Sequence, residues 1–177
     1  KCIVHGVGGT LIQHKKEHML HCDIKLGDRV FFFSTCGWMM CNWLVSSLAS
    51  GATLMLYEGS PFINHNDNIL FDFAEQEKFN FMGVSAKYLD TARKKELCPR
   101  ETHNLESLKM ILSTGSALSL DCFDYVYQKV KSEVCLSSIS GGTDIVSCFV
   151  LGSPMLPVYR GELQTRGLGL SVEVWDE

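Results

Sequence analysis

The chain has 177 residues, of which 46% are hydrophobic and 20% charged, and its formal net charge is -4. That length and composition suit one globular domain, or a large part of one, with a real core, and exclude a disordered chain. An acidic balance excludes non-specific nucleic-acid binding, which needs a basic surface, while local donors can still hold an anionic substrate.

The chain opens on Lys1 and Cys2 rather than Met, which places the expected true N-terminus upstream. No secretory signal and no apolar run of transmembrane length is present. Gly6-Val7-Gly8-Gly9-Thr10 has the composition of a phosphate loop but neither the Lys-Ser/Thr ending nor the spacing of a dinucleotide fingerprint. His14, His18 and His21 share one helical face, as metal-binding histidines would. Lys15, Lys16 and Glu17 interleave them, so a solvated polar face accounts for the same stripe.

Short β-rich runs then alternate with longer helical ones. Strands are predicted at 29–34, 53–57, 81–84, 108–112 and 134–139, and helices at 38–49, 67–78, 86–96 and 119–131. Gly51 stands where a helix C-terminal cap belongs, and His103-Asn104, after Pro99, reads as an exposed loop. Repeated strand–helix–strand order implies a parallel α/β sheet with right-handed crossovers. After Gly141 the pattern changes: 145–151, 161–164 and 171–175 are strand-like pieces with no long helix between them. The expected organisation is therefore a parallel α/β part over 1–144 and, over 145–177, the start of a smaller β-rich subdomain.

The cysteines stand at 2, 22, 36, 41, 98, 122, 135 and 148, with no CxxC spacing for a zinc knuckle or a thioredoxin motif. Most lie in apolar runs, Cys36 and Cys41 beside Trp38 and Trp43, where they read as small buried hydrophobes in a reducing compartment, the cytosol.

Ligands of open parallel sheets bind outside the carboxyl ends of the strands. Two strand ends here carry suitable residues. In Ser113-Thr114-Gly115-Ser116-Ala117, hydroxyls and a glycine lie in a strand-to-helix turn that suits a nucleotide; capping of the next helix by Ser113, Thr114 and Ser119 is the plainer reading. In Ser138-Ile139-Ser140-Gly141-Gly142-Thr143-Asp144, glycines allow close approach, Thr143 offers a hydroxyl donor and Asp144 a hard oxygen ligand for Mg²⁺. A glycine turn with an Asx cap is the alternative. Trp38 and Trp43 fit a ligand pocket or, more commonly, a core. No GxSxG element supports a serine hydrolase, and no dinucleotide fingerprint follows a strand to support a nicotinamide enzyme.

At Gly142-Thr143-Asp144 the chain resembles the adenylate-forming superfamily, and within it the AMP-forming acyl-CoA synthetases. The stretches that carry the resemblance are Phe31–Pro61, Ile111–Ser119 (ILSTGSALS), Ser140–Phe149 (SGGTDIVSCF) and Tyr159–Glu177. One glycine-threonine-acidic turn is common; four such segments in this order are not. The resemblance implies an acid–thiol ligase that activates a small carboxylic acid, acetoacetate, as its acyl-adenylate and transfers it to coenzyme A, using ATP and Mg²⁺. Gly115, Ser116 and Ala117 match the loop that borders adenine and the acyl pocket, Ala117 standing where the family often has proline. Gly141 and Gly142 precede Thr143, which matches the donor to the α-phosphate, and Asp144 matches the acidic Mg²⁺ ligand, usually Glu. Trp38 matches a pocket-wall tryptophan, and Lys1 the last lysine of a phosphate loop. In this frame the loop preceding Lys1 and the family's C-terminal domain lie outside the 177 residues. The isolated chain is then expected to be inactive and prone to self-association through uncovered sheet edges. The rival expectation is a non-catalytic truncated isoform that acts as an interaction or nucleotide-binding module.

Overall fold

The computed structural model describes residues 2–176; Lys1, assigned above to a phosphate loop, and Glu177 lie outside the described residues. After α1 (Val7–Lys16), which runs on into a wider π-helical turn at Glu17–His21, the chain enters β1 (Arg29–Phe32). Next come α2 (Met39–Ser46), β2 (Thr53–Met55), α3 (Ile69–Gln76), β3 (Phe81–Ser85), α4 (Ala86–Lys94) and the short α5 (Pro99–Thr102). β4 (Met110–Thr114), α6 (Leu120–Tyr125) with its π-helical extension Val126–Val130, and β5 (Cys135–Ser138) complete the first unit. Its strands form one five-stranded sheet in the order β2-β1-β3-β4-β5, every neighbouring pair parallel. Parallel neighbours require crossovers, and the helices supply them. The predicted parallel α/β architecture is what forms.

A parallel sheet covered on both faces should be apolar on both, and this one is. Phe31, Met82, Val84, Ile111 and Leu136 point into one layer, packed against Leu70 and Phe71 of α3, Leu89 of α4 and Phe123 of α6. Their alternates Val30, Phe32, Phe81, Met110 and Leu112 point the other way, against Met40, Trp43 and Leu44 of α2 and against Val146, Cys148 and Leu151. The second layer therefore already joins the large sheet to the chain beyond β5.

After β5 only Ile139 intervenes before β6 (Ser140–Gly142), which pairs antiparallel with β7 (Ser147–Leu151), itself paired with β8 (Thr165–Arg166). A small antiparallel sheet thus begins where the sequence pattern changes. The strand expected at 161–164 forms instead at Thr165–Arg166, the piece that meets β7, and 171–175 carries no strand. No helix among the described residues is long and apolar enough to cross a membrane.

Several local expectations are corrected. His14, His18 and His21 do not form a solvated face: they are 0%, 0% and 2% exposed. Each gives a ring nitrogen to a backbone carbonyl, of Val146 at 2.8 Å, Trp43 at 3.0 Å and Gly152 at 2.9 Å respectively. These are core histidines, and no metal-holding group of three or more His, Cys, Asp or Glu occurs among the described residues. Gly8, Gly9 and Thr10 lie inside α1 rather than in a loop. Cys36 is exposed, whereas Cys22, Cys122 and Cys148 are buried as expected; all the cysteines are free thiols. His103 is no loop-tip residue: its ring meets Asp72 at 2.8 Å with the side chain only 6% exposed.

Candidate functional site

β4 and β5 end side by side, their residues in register from Met110↔Cys135 to Ser113↔Ser138, so the turns leaving them emerge at one rim of the sheet. At β4, Gly115 takes φ +92, a backbone conformation that L side chains rarely adopt, and it bends the chain toward Ser116 and Ala117. Ser119 sits at the start of α6 but makes no side-chain cap, and the Thr114 hydroxyl donates to the Ile139 carbonyl at 3.0 Å. The capping explanation of these hydroxyls therefore fails. Thr114 instead ties the first bend to the chain that enters the second.

At β5 the chain crosses into the β6–β7 hairpin. Gly141 lies against the backbone of its partner strand: a Cβ there would stand 2.4 Å from the Ser147 carbonyl oxygen and 3.0 Å from Cys148 Cα. Gly142 meets nothing nearer than the Phe149 ring at 4.0 Å, so its open side is available to a ligand. The hairpin turn is Thr143–Val146, with the Val146 N–H donating to the Thr143 carbonyl at 3.2 Å. Thr143 and Asp144 are both exposed on this turn.

The two bends face one cleft of about 480 Å³, which Gly115, Ser116, Ala117, Gly141, Gly142 and Thr143 line together. Trp38 forms its wall, poised at the start of α2, edge-on to Phe32 at 5.7 Å and within 3.8 Å of the Cβ position of Gly115. Trp43, the other tryptophan considered for a pocket, is core, 1% exposed. Asp144 is not part of the lining; it lies on the same turn, next to Thr143. The cleft also takes in Ser138 and Ser140 of the second strand-end segment; reading the sequence alone missed Met39 and Met40, and also Gly161 and Leu163, which bring the later part of the chain to the cleft. The glycine beside Arg160 was the available signal for the last pair.

None of the described lining residues carries a formal charge. The cleft offers backbone N–H groups, hydroxyls and apolar walls, which suit a flat base and a small acyl group and can hydrogen-bond phosphate without neutralising it. Cys148, at the cleft floor, is a buried thiol whose pKa is pushed up by desolvation and by the neighbouring Glu17, so it is no nucleophile.

No family model matches the chain. It is similar along 100% of its length to the acetoacetyl-coenzyme A synthetase of Rhizobium meliloti (strain 1021), at 59% identity over 177 residues, covering 27% of that protein. To the acetoacetyl-CoA synthetase of Mus musculus it is 51% identical, again over 100% of the chain and 26% of the relative. A solved acetoacetyl-CoA synthetase from Streptomyces lividans superposes with a TM-score of 0.88 at 39% identity, over 96% of this chain and 26% of that one. The fold is that of the acyl-CoA synthetase class. Within it, the chain is a homologue of the acetoacetyl-CoA synthetases, matched from end to end, and it spans about a quarter of the length of these relatives.

Proposed function

We propose that the chain supplies the nucleotide- and acid-facing part of an ATP-dependent acid–thiol ligase. The acid, acetoacetate, is activated as acyl-adenylate and then passed to coenzyme A. The observation that carries this reading is the meeting of both glycine bends and Trp38 at one cleft, in a chain whose relatives are named for acetoacetyl-CoA synthesis.

The chemistry is dictated by where charge develops. In the first half-reaction a carboxylate oxygen attacks the α-phosphorus and pyrophosphate departs; in the second, the coenzyme A sulfur attacks the acyl carbon and AMP departs. The first step loads negative charge onto phosphate oxygens, so it needs aimed donors and cations more than an acid or base. The Thr143 hydroxyl, exposed at the cleft margin, is the donor to the α-phosphate. Gly115, Ser116 and Ala117 border the base and the acyl group, and Gly141 and Gly142 let backbone approach the nucleotide. Trp38 closes the acyl end and favours a short acid. Asp144 fits Mg²⁺: it is exposed, and a single hard carboxylate suffices for an ion that draws its other ligands from phosphate and water. When bound, that ion neutralises phosphate charge, which the uncharged cleft walls do not. The free thiols fit a reducing compartment, and we place the reaction in the cytosol, as a step of lipid metabolism.

The test exchanges this chain for the matching segment of the Rhizobium meliloti enzyme and adds Thr143→Ala. Loss of one hydrogen bond to a charged group should slow acetoacetate-dependent pyrophosphate exchange roughly ten- to a hundredfold. An exchange rate unchanged by Thr143→Ala would remove that residue from the mechanism.

A further inference from the structure

The turn that carries Thr143 and Asp144 is gripped from α1 and the residues on either side of it, at both ends and at its stem. His5 Nε2 lies 2.8 Å from the Thr143 carbonyl oxygen. His14 Nε2 lies 2.8 Å from the carbonyl oxygen of Val146, whose φ of 49° is one a β-branched residue avoids and keeps only when its surroundings impose it. The stem is held by Glu17, which is 0% exposed. Its Oε1 accepts from Ser147 Oγ at 2.8 Å, from the Cys148 N–H at 3.1 Å and from Gln13 Nε2 at 2.9 Å. Its Oε2 accepts from Trp43 Nε1 at 3.0 Å and from the Cys148 thiol at 3.6 Å.

Trp43 Nε1 and the Cys148 N–H can only donate, so the network demands a group that only accepts, on both oxygens at once. A carboxylate does that; an amide does not. Stability alone gives little reason to bury an anion here, since a matched apolar side chain often serves as well or better. What the anion supplies is register: Ser147 and Cys148 face Gly142 and Gly141 across the hairpin, and fixing them fixes the turn between.

We propose that Glu17 is a positioning residue for the phosphate-facing turn, holding Ser147 and Cys148 so that Thr143 and Asp144 keep one orientation toward the nucleotide. This rests on the assignment of Thr143 and Asp144 to the nucleotide site. Glu17→Gln keeps size and shape but turns an NH₂ toward one of the two donor sets.

The experiment uses the Rhizobium meliloti enzyme carrying this chain in place of its matching segment, with three readouts: ATP affinity with Mg²⁺ by calorimetry, amide hydrogen exchange, and the urea midpoint. Glu17→Gln should weaken ATP binding roughly tenfold, and Glu17→Gln combined with Thr143→Ala should be no weaker than Thr143→Ala alone by more than about twofold. Exchange should accelerate at residues 142–148 and not across the large sheet. A lowered urea midpoint with ATP affinity of the folded protein unchanged, or additive losses in the double variant, would overturn the proposal in favour of a core role. Should ATP affinity of the chimeric enzyme be unmoved by Thr143→Ala, the nucleotide assignment of that turn itself falls, and exchange still decides: acceleration confined to 142–148 supports positioning, uniform acceleration overturns it. If Glu17→Gln does not fold, Ser147→Ala removes one donor from the same network and should shift affinity and local exchange in the same direction, by a smaller factor; no shift counts against the proposal.

Discussion

A methyl group at position 141 would meet backbone, the Ser147 carbonyl oxygen 2.4 Å away, and backbone yields only if the hairpin opens. At position 142 a methyl group would face only the Phe149 ring, at 4.0 Å. The neighbouring glycines therefore separate fold from function. Gly141→Ala should cost about 1–3 kcal/mol of stability, as overpacking does. Gly142→Ala should leave stability within about 0.5 kcal/mol and weaken ATP binding, because its added methyl occupies space the nucleotide is proposed to approach. Urea denaturation and calorimetry on both variants check this; equal stability losses would show that Gly142 is glycine for the fold alone. Residue types at the cleft were legible in the sequence because glycine and hydroxyl residues cluster at strand ends for few reasons. The burial of His14, His18 and His21 was not. Their common face comes from helical spacing, but His14 and His21 are satisfied by carbonyls more than a hundred residues away, Val146 and Gly152. No local pattern announces such partners.

At the scale of elements, the parallel strands and their helices were visible as alternating periods, and their ends shifted by a few residues. The small sheet was harder, because a strand exists only where a neighbour accepts and donates its hydrogen bonds. Thr165–Arg166 has β7 beside it, whereas 171–175 has a strand-like composition and no strand pairing. A second element-scale device is equally invisible in sequence. Lys131, just past the α6 helix, directs Nζ at the carbonyl oxygens of Leu105, Glu106 and Leu108, each 2.8 Å away, and so pins the turn that leads into β4. Its pKa is lowered by desolvation, the cost of drawing an ammonium into that cage. Lys131→Met keeps the stem and removes the donor, leaving those carbonyls without it. The loss should be about 1–3 kcal/mol, read as a lower melting temperature, with ATP affinity preserved because the turn lies at the opposite end of β4 from Gly115. A melting temperature equal to the parent's would mean that water replaces the ammonium at no cost.

Across the whole molecule, α1 and the π-helical turn that continues it are the seam between the two sheets, and their histidines form that seam in the neutral state. His21 shows why: Nδ1–H donates to Gly152 while Nε2 accepts from the Leu168 N–H at 3.1 Å, and a second ring proton would remove that acceptor. His18 is held neutral by burial first and by His14 second, its pKa lowered from 6.5 to about 3, with its ring against Trp43 at 4.3 Å. Desolvation lowers His14 and His21 too, against the opposing influence of their carbonyl partners and Glu17. The sign is fixed by which state binds protons: below about pH 6.5 the unfolded chain takes them up on these histidines and the folded chain does not. Stability is thus fully present above that pH and declines as pH falls toward the folded value. His18 alone accounts for a loss of about 2 kcal/mol between about pH 7.5 and 5. The carboxylates whose pKa values are lowered, Asp72, Asp90 and Asp124, begin from 3.8 and act mainly below that window. The urea midpoint should therefore drop between about pH 7.5 and 5, and His18→Gln, whose amide can still donate to the Trp43 carbonyl, should flatten the drop. A pH dependence identical in parent and His18→Gln would mean that His18 is protonated as readily in the fold as outside it, and that the seam between the sheets is wet.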